Sequence, residues 1–221
     1  MKVGVLASGA GTNLQALLDT VHGRDGIEVA GVASNKPGAQ ALDRAREAGV
    51  AVAAFPAAEF GGREERDRAM AAWLIERGVE LVVLAGYMQL LSPEFLDRFR
   101  GRVINVHPAL LPAFPGLRAV EQALDYGVKT FGVTVHFVDE GVDTGPVILQ
   151  RGVELPDARE VHEVMARLQP IEHELLPAAV RLLATGSVRL DPANPRRVVI
   201  DRHASGIDGA ASPATDRSRA S

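Results

Sequence analysis

The segment Asn105-Val106-His107-Pro108 contains residue types whose spacing could do chemistry. In an extended strand, side chains two positions apart point to the same side, so Asn105 and His107 would share one surface. An amide donor beside an imidazole can polarise a carbonyl group and move a proton. The alternative is a histidine that hydrogen-bonds to the backbone of a rigid proline loop, and the segment alone slightly favours that alternative.

A second candidate is the acidic, glycine-containing segment from Asp139 to Gly145. Carboxylates in such a turn can bind a metal ion, cap a helix or orient a base. A calcium loop needs oxygen ligands at alternate positions, and Gly141 and Val142 interrupt that order. Two interpretations remain: a carboxylate partner for a histidine, or a solvated turn.

A third candidate is the glycine-rich segment Ser8–Asn13, between an apolar run and a helical pattern. Glycines allow a sharp turn, and a helix start offers free N–H groups that bind anions such as phosphate. The dinucleotide fingerprint would need a glycine where Leu14 stands and an acid near Ser34, and the phosphate-loop lysine is absent. The segment therefore indicates a phosphomonoester site, or else an ordinary turn with Thr12 or Asn13 as the helix N-cap.

These segments must be held in place by regular elements, and apolar runs alternate with helical patterns through the first half of the chain. This alternation predicts an α/β fold, a Rossmann-like and mostly parallel sheet flanked by helices. Beyond residue 107, the segments 130–138 and 147–153 predict an antiparallel pair. Expected strands are 3–7, 27–33, 50–55, 80–85 and 103–106, and expected helices are 13–21, 39–48, 63–78 and 93–99.

The C-terminal third predicts one long helix over residues 160–184, kinked or broken by Pro170 and Pro177. We expect a single domain over residues 1–190, with a phosphate-binding half at 1–100 and a catalytic half at 101–190. Residues 191–202 are expected to add a closing strand. Residues 203–221 are rich in Ser, Ala, Gly and Asp, which predicts a disordered tail.

Composition excludes several classes of function. The chain has 221 residues and no cysteine, which excludes disulfides, thiolate nucleophiles and iron–sulfur clusters. A net charge of −4 argues weakly against a nucleic-acid partner. No apolar run approaches the roughly 20 residues of a membrane span, and the N-terminal run is too short for a signal peptide. We therefore expect a cytoplasmic protein without a membrane partner.

Taken together and in order, these segments resemble the folate-dependent formyltransferases, closest to those that act on phosphoribosylglycinamide in purine biosynthesis. The resemblance runs from about residue 2 to about residue 190 and implies the formyltransferase fold. The segments that carry it are Ala7–Asn13, Leu84–Met88, Asn105–Pro112, Val135–Pro146 and Glu172-His173.

The resemblance implies transfer of a formyl group from 10-formyltetrahydrofolate to the amine of phosphoribosylglycinamide, without a metal. By resemblance, Asn105 would hydrogen-bond the formyl oxygen and a charged His107 would stabilise the tetrahedral oxyanion. Asp143 would favour the charged imidazole and hold a water that carries the proton. Such electrostatic stabilisation is worth roughly 2.7–4 kcal/mol per donor.

The resemblance also implies two binding regions. The ribonucleotide would contact Gly11, Thr12, Asn13, Gln169 and Glu172. The folate co-substrate would contact Arg63, Met88, Gln89, Leu90, Leu91, Asn105, Asp139, Glu140, Gly141 and Val142. Gln89 stands where this family often has arginine, so one charge contact to the folate is expected to be absent.

Several alternatives bear on these expectations. Methionyl-tRNA and sugar-nucleotide formyltransferases tend to be longer, and formyltetrahydrofolate hydrolases usually carry an extra N-terminal domain. A nicotinamide-dependent oxidoreductase is disfavoured by Leu14 and Ser34. A non-catalytic phospho-ligand or folate-binding protein would not need Asn105, His107 and Asp143 together. We expect small-molecule substrates and a monomer or weak homodimer.

Overall fold

The N-terminal half forms a parallel sheet with helices in the crossovers. A computed structural model describes residues 1–201. Within it, five parallel strands run in the spatial order β3-β2-β1-β4-β5. This confirms the predicted α/β class. The strands are β1 Lys2–Leu6, β2 Glu28–Ser34, β3 Val52–Ala54, β4 Leu81–Leu84 and β5 Val103–His107, and the helices are α1 Thr12–Thr20, α2 Gln40–Glu47, α3 Arg63–Glu76 and α4 Pro93–Arg98.

The C-terminal half extends the same sheet with strands that pair mostly antiparallel. Strand β6 pairs antiparallel with β5, and β7 pairs antiparallel with β6, as the alternating patterns predict. A hairpin of β8 and β9 completes the order β3-β2-β1-β4-β5-β6-β7-β9-β8. The bounds are β6 Thr130–Phe137, β7 Val147–Glu154, β8 Val188–Asp191, β9 Asn194–Ile200, α5 Ala119–Tyr126 and α6 Val161–Ala184.

Apolar side chains of the sheet alternate between two cores, one on each face. Val3 and Val5 of β1 pack in a cluster with Leu17 of α1 and Leu168 of α6. Leu6 faces the other way and joins a second cluster with residues of α3 and α4. A parallel sheet covered on both faces reads as continuous apolar runs, which is why these strands were recognisable from the sequence.

Helix α6 corrects one expectation, because it continues without interruption from Val161 to Ala184 with Pro170 and Pro177 inside it. The expectation of a break is therefore wrong, and the expectation of a kink stays a prediction. Leu168 and Leu176 are buried on the face that packs against α1, β6 and β7. This burial outweighs the backbone hydrogen bonds that the two prolines cannot make.

Some expectations concern the ends of elements and of the chain. Helix α3 ends at Glu76 rather than residue 78, because Gly78 adopts a left-handed conformation with φ of 71°. The expectation of a disordered tail at 203–221 lies outside the described residues. Within residues 1–201, no helix is both long and apolar enough to cross a membrane.

Candidate active site

The end of strand β5 carries the first candidate pair. Ile104 and Val106 are buried in the core cluster of one sheet face, so Asn105 and His107 project from the other face. His107 is buried, and Asn105 is partly exposed. The strand therefore presents both side chains at the carboxyl edge of the parallel sheet, where open α/β sheets bind ligands.

Asp143 joins this pair. Its Oδ2 atom lies 3.3 Å from Nδ1 of His107, and its Oδ1 atom accepts a hydrogen bond of 3.3 Å from Nδ2 of Asn105. The backbone N–H of Gly116 also donates to Oδ2, at 2.8 Å. The three residues that the sequence singled out separately thus meet around one carboxylate.

The environment of Asp143 favours its ionised form. Burial raises the pKa of this carboxyl group, but hydrogen bonds from His136 and from the Gly116 N–H, with the charge of His107, outweigh burial and lower the pKa to about 2. Asp143 is therefore a fixed negative charge at neutral pH, next to an imidazole that it can pair with.

Both ring nitrogens of His107 face hydrogen-bond acceptors. Nδ1 faces the Asp143 carboxylate, and Nε2 lies 2.9 Å from the carbonyl oxygen of Phe114. A neutral imidazole carries one N–H and can satisfy only one of these acceptors, whereas an imidazolium ion satisfies both. The geometry therefore suits a positively charged His107.

His136 is a further member of this cluster, and the sequence analysis did not identify it as a site residue. Its Nδ1 atom lies 2.7 Å from the carbonyl oxygen of Phe137. Its Nε2 atom lies 3.2 Å from Nδ2 of Asn105 and 3.5 Å from Oδ1 of Asp143. The antiparallel register of β5 and β6 brings it there, and that register is not visible in either strand alone.

The turn that carries Asp143 is folded tightly upon itself. The Oδ1 atom of Asp139 accepts hydrogen bonds from the N–H of Gly141 and from Oγ1 of Thr144. Asp143 itself has a positive φ of 53°, and a Cβ atom on Gly145 would lie 1.8 Å from the carbonyl oxygen of Phe137. Side-chain bonds and a close backbone approach thus aim Asp143 inward.

A cavity of about 490 Å³ opens beside these residues. Its walls combine apolar side chains with a small number of polar groups, as is usual for sites that bind a flat organic ligand. All ten residues expected to contact folate line it: Arg63, Met88, Gln89, Leu90, Leu91, Asn105, Asp139, Glu140, Gly141 and Val142. His107, His136 and Asp143 line the same cavity.

The glycine-rich segment lies at the start of α1, beside α6. Gly11, not Thr12 or Asn13, is the N-cap of α1, with a left-handed φ of 73°. A Cβ atom at Gly11 would lie 2.7 Å from Cα of Ala41, so this position requires glycine on two counts. Helix α1 thus starts without a side-chain cap, and its first N–H groups are available to an anion.

Helix α6 supplies two polar residues to this segment. Nε2 of Gln169 donates to Oγ1 of Thr12 at 3.1 Å, and Nδ2 of Asn13 donates to Oε2 of Glu172 at 2.9 Å. Burial raises the pKa of Glu172, although the bond from Asn13 acts in the opposite direction. The five residues expected to hold the ribonucleotide therefore form one polar cluster, apart from the lining of the cavity.

Known proteins similar to this chain are formyltransferases. The family model described as "Formyl transferase" matches residues 1–180. The chain belongs to the formyl transferase family. Its structure is similar to that of glycinamide ribonucleotide transformylase 1 from Symbiobacterium toebii, with a TM-score of 0.86 and 46% identity, covering 90% of this chain and 93% of that one.

Two curated relatives of this formyltransferase differ in how much of their length the chain covers. Phosphoribosylglycinamide formyltransferase of Haemophilus influenzae is 40% identical over 190 residues, which are 86% of this chain and 90% of that protein. The trifunctional purine biosynthetic protein adenosine-3 of Drosophila melanogaster is 44% identical over 195 residues. That match covers 86% of this chain but 14% of the trifunctional protein, so the chain spans about one seventh of that relative.

Two further observations concern the composition of the formyltransferase site. Within residues 1–201, no three His, Cys, Asp or Glu side chains are grouped so that they could hold a metal ion.

Gln89 stands at the position where the family often has arginine. Its Oε1 atom accepts a hydrogen bond of 3.4 Å from Nη1 of Arg66. Neither Arg66 nor its neighbour Asp67 was a candidate from the sequence.

Proposed function

We propose that this chain transfers the formyl group of 10-formyltetrahydrofolate to the amine of N1-(5-phosphoribosyl)glycinamide. The products are the N2-formyl ribonucleotide and tetrahydrofolate, a step of purine biosynthesis. The observation that carries the proposal is the meeting of Asn105, His107 and Asp143 in the wall of one cavity. The names of the bacterial relatives that match nearly their whole length support the same reaction.

The proposed reaction is a direct acyl transfer. The amine nitrogen forms a bond to the formyl carbon, the carbonyl oxygen becomes an oxyanion, and the bond from that carbon to the folate N10 then breaks. The amine loses one proton, and N10 gains one. The protein therefore has two tasks, to stabilise the oxyanion and to move a proton between two nitrogens.

Asn105 and His107 are suited to the first task. The Nδ2 group of Asn105 donates one hydrogen to Oδ1 of Asp143, and its second hydrogen can reach the formyl oxygen. Nε2 of His107 becomes available to the oxyanion once its bond to the Phe114 carbonyl opens. Each donor would supply roughly 2.7–4 kcal/mol of transition-state stabilisation.

Asp143 is suited to the second task. With a pKa of about 2, it stays ionised at neutral pH, and its Oδ2 atom orients the imidazole of His107 through Nδ1. The same carboxylate can accept a hydrogen bond from a water that carries the proton from the amine towards N10.

The two binding regions divide the substrates between them. We place the ribonucleotide phosphate on the N-terminus of α1 at Gly11, Thr12 and Asn13, with Gln169 beside it, and the sugar or glycinamide on Glu172. The folate occupies the 490 Å³ cavity, with Arg63 as a cation for its carboxylates.

Three further expectations stay predictions. They are a single domain over residues 1–190, a monomer or weak homodimer, and a cytoplasmic location.

The proposal is tested with a spectroscopic transfer assay. Purified protein is mixed with 10-formyltetrahydrofolate and one amine at a time, phosphoribosylglycinamide first, and formation of tetrahydrofolate is followed. We expect turnover with phosphoribosylglycinamide and none with amines that lack the phosphoribosyl group. Release of formate without any acceptor would contradict the proposal and indicate a hydrolase.

A further inference from the structure

We propose that Asp67 is a positioning residue for one wall of the folate cavity, an inference that rests on the proposed function. The wall segment, residues 86–91, lines the cavity without a break. Asp67 lies behind it on helix α3 and does not line the cavity itself. It acts through the backbone of Ser92, immediately after the wall segment.

The side chain of Asp67 is buried, and both of its oxygen atoms accept hydrogen bonds. Its side chain is 0% exposed, and its Oδ1 atom accepts hydrogen bonds of 2.9 and 2.7 Å from Nε and Nη2 of Arg66. Its Oδ2 atom accepts a hydrogen bond of 2.6 Å from the backbone N–H of Ser92. One oxygen therefore binds Arg66, and the other binds the backbone of Ser92, the residue that follows the wall segment.

A buried ion pair is weak evidence for a contribution to stability. The attraction between Arg66 and Asp67 is offset by the removal of both charges from water, and an apolar pair of similar volume often serves a fold equally well. The pair is more readily understood from what it holds. Arg66 also donates to Oε1 of Gln89, so it contacts the wall segment directly.

Hydrogen bonds hold the wall segment on both sides of its exposed apolar residues. At one end, the N–H of Met88 donates to Oγ of Ser8 at 2.9 Å. At the other end is the bond from Ser92 to Asp67. The side chains of Met88 and Leu90 are 58% and 60% exposed, so no apolar core fixes their place. Their position therefore depends on the hydrogen bonds of the backbone on either side, of which the bond from Ser92 to Asp67 is one.

This arrangement predicts which kinetic constant depends on Asp67. The wall segment contains none of Asn105, His107 and Asp143, and it is separate from the polar cluster between α1 and α6. A displaced wall should therefore weaken binding of the folate more than it slows the chemical step, and should leave binding of the ribonucleotide unchanged.

Asp67→Asn is the first variant. In the wild type, Arg66 donates to one oxygen and Ser92 to the other, so the one carbonyl oxygen of asparagine can take only one of these places and its NH₂ group would face the other donor. We expect the KM for 10-formyltetrahydrofolate to rise about tenfold, the scale of one lost charge-assisted hydrogen bond. The KM for phosphoribosylglycinamide and kcat should stay within about twofold of the wild-type values.

A second variant and a matched control separate positioning from folding. Asp67→Glu keeps the charge for Arg66 but moves the carboxylate by one methylene, so it should also raise the folate KM. Ser92→Ala keeps the N–H that bonds Asp67 and removes only the hydroxyl that caps α4 at the N–H of Phe95. This control should lower the melting temperature without changing either KM.

The possible outcomes distinguish a positioning role of Asp67 from a role in folding. A folded Asp67→Asn or Asp67→Glu protein with an unchanged folate KM, or with a loss confined to kcat, overturns the inference. Failure of both variants to fold, judged by thermal denaturation, also overturns it, because Asp67 would then serve the fold rather than the wall. A wild-type chain that transfers no formyl group instead overturns the proposed function and this inference together.

Discussion

Asn105 and His136 lie directly opposite each other in the antiparallel pair of β5 and β6, with Nδ2 of Asn105 3.2 Å from Nε2 of His136. Both atoms also lie within 3.5 Å of Oδ1 of Asp143. The change from parallel to antiparallel pairing at β5 thus joins an amide, an imidazole and a carboxylate from three separate parts of the chain. It also explains why His136 accompanies the residues that the sequence identified.

Removal of either member of the His107–Asp143 pair should slow the reaction without unfolding the protein. His107→Ala removes an oxyanion-stabilising group and Asp143→Asn removes the carboxylate that orients it, so each is expected to lower kcat by about 10²–10³. His162→Ala, at an exposed position of α6, is the control and should be unchanged. Steady-state rates and circular dichroism measure the two properties, and near-wild-type turnover of either first variant would remove its catalytic assignment.

Asp143 should also link stability to pH. Because its folded-state pKa of about 2 lies below the unfolded value of about 3.9, the ionised group stabilises the fold above about pH 4. That contribution, about 2 kcal/mol, is lost as the pH falls from about 4 to about 2. Urea unfolding at pH 7, 5 and 3 should show the wild-type advantage over Asp143→Asn unchanged between pH 7 and 5 and smaller at pH 3. A difference that already shrinks between pH 7 and 5 would contradict this origin.

Gly145 should tolerate no side chain. A Cβ atom there would lie 1.8 Å from the carbonyl oxygen of Phe137, so Gly145→Ala must displace the turn that carries Asp143. We expect kcat to fall at least about tenfold, since small misplacements of catalytic groups are costly. Gly38→Ala is the matched control, because nothing lies within 4 Å of its added Cβ atom. Equal activities of the two variants would show that the turn adapts.

The sequence predicted the elements more completely than their contacts. Continuous apolar runs identify β1 and β4 because both faces of a parallel sheet are covered. The spacing of Asn105 and His107 predicts their common side, because strand periodicity is local. The contacts of His136, Asp67 and the Gly116 N–H depend on register and loop conformation, which no local pattern encodes. The predicted break in α6 was wrong because local proline propensity ignored the packing of the helix on α1 and the sheet.

Replacement of Tyr87 by phenylalanine should increase the stability of the fold. Within residues 1–201 its buried hydroxyl has no hydrogen-bond partner, and burial raises its pKa to about 12. Tyr87→Phe removes the unsatisfied group and keeps the ring, so it should stabilise the fold by about 1 kcal/mol. Chemical denaturation measures the change. A loss of stability would instead show that the hydroxyl is satisfied in solution.

Glu172 is expected to decrease the stability of the fold while it contributes to substrate binding. Burial raises its pKa, so its ionised form costs stability above its unfolded pKa of about 4.3, and the cost grows as the pH rises through the folded value. Glu172→Gln removes the charge but keeps an oxygen that can accept from Nδ2 of Asn13. At pH 7 the variant should be more stable, by on the order of 1 kcal/mol.

The same substitution should weaken substrate binding, because the carboxylate is proposed to hydrogen-bond the ribonucleotide. Loss of a hydrogen bond to a charged group should raise the KM for phosphoribosylglycinamide roughly 10- to 100-fold and leave the folate KM unchanged. Glu174→Gln, at an exposed position of the same helix, should alter neither stability nor KM. A more stable Glu172→Gln protein with unchanged KM would mean that the buried carboxylate serves neither substrate, and the ribonucleotide would then have to be held by α1 and Gln169 alone.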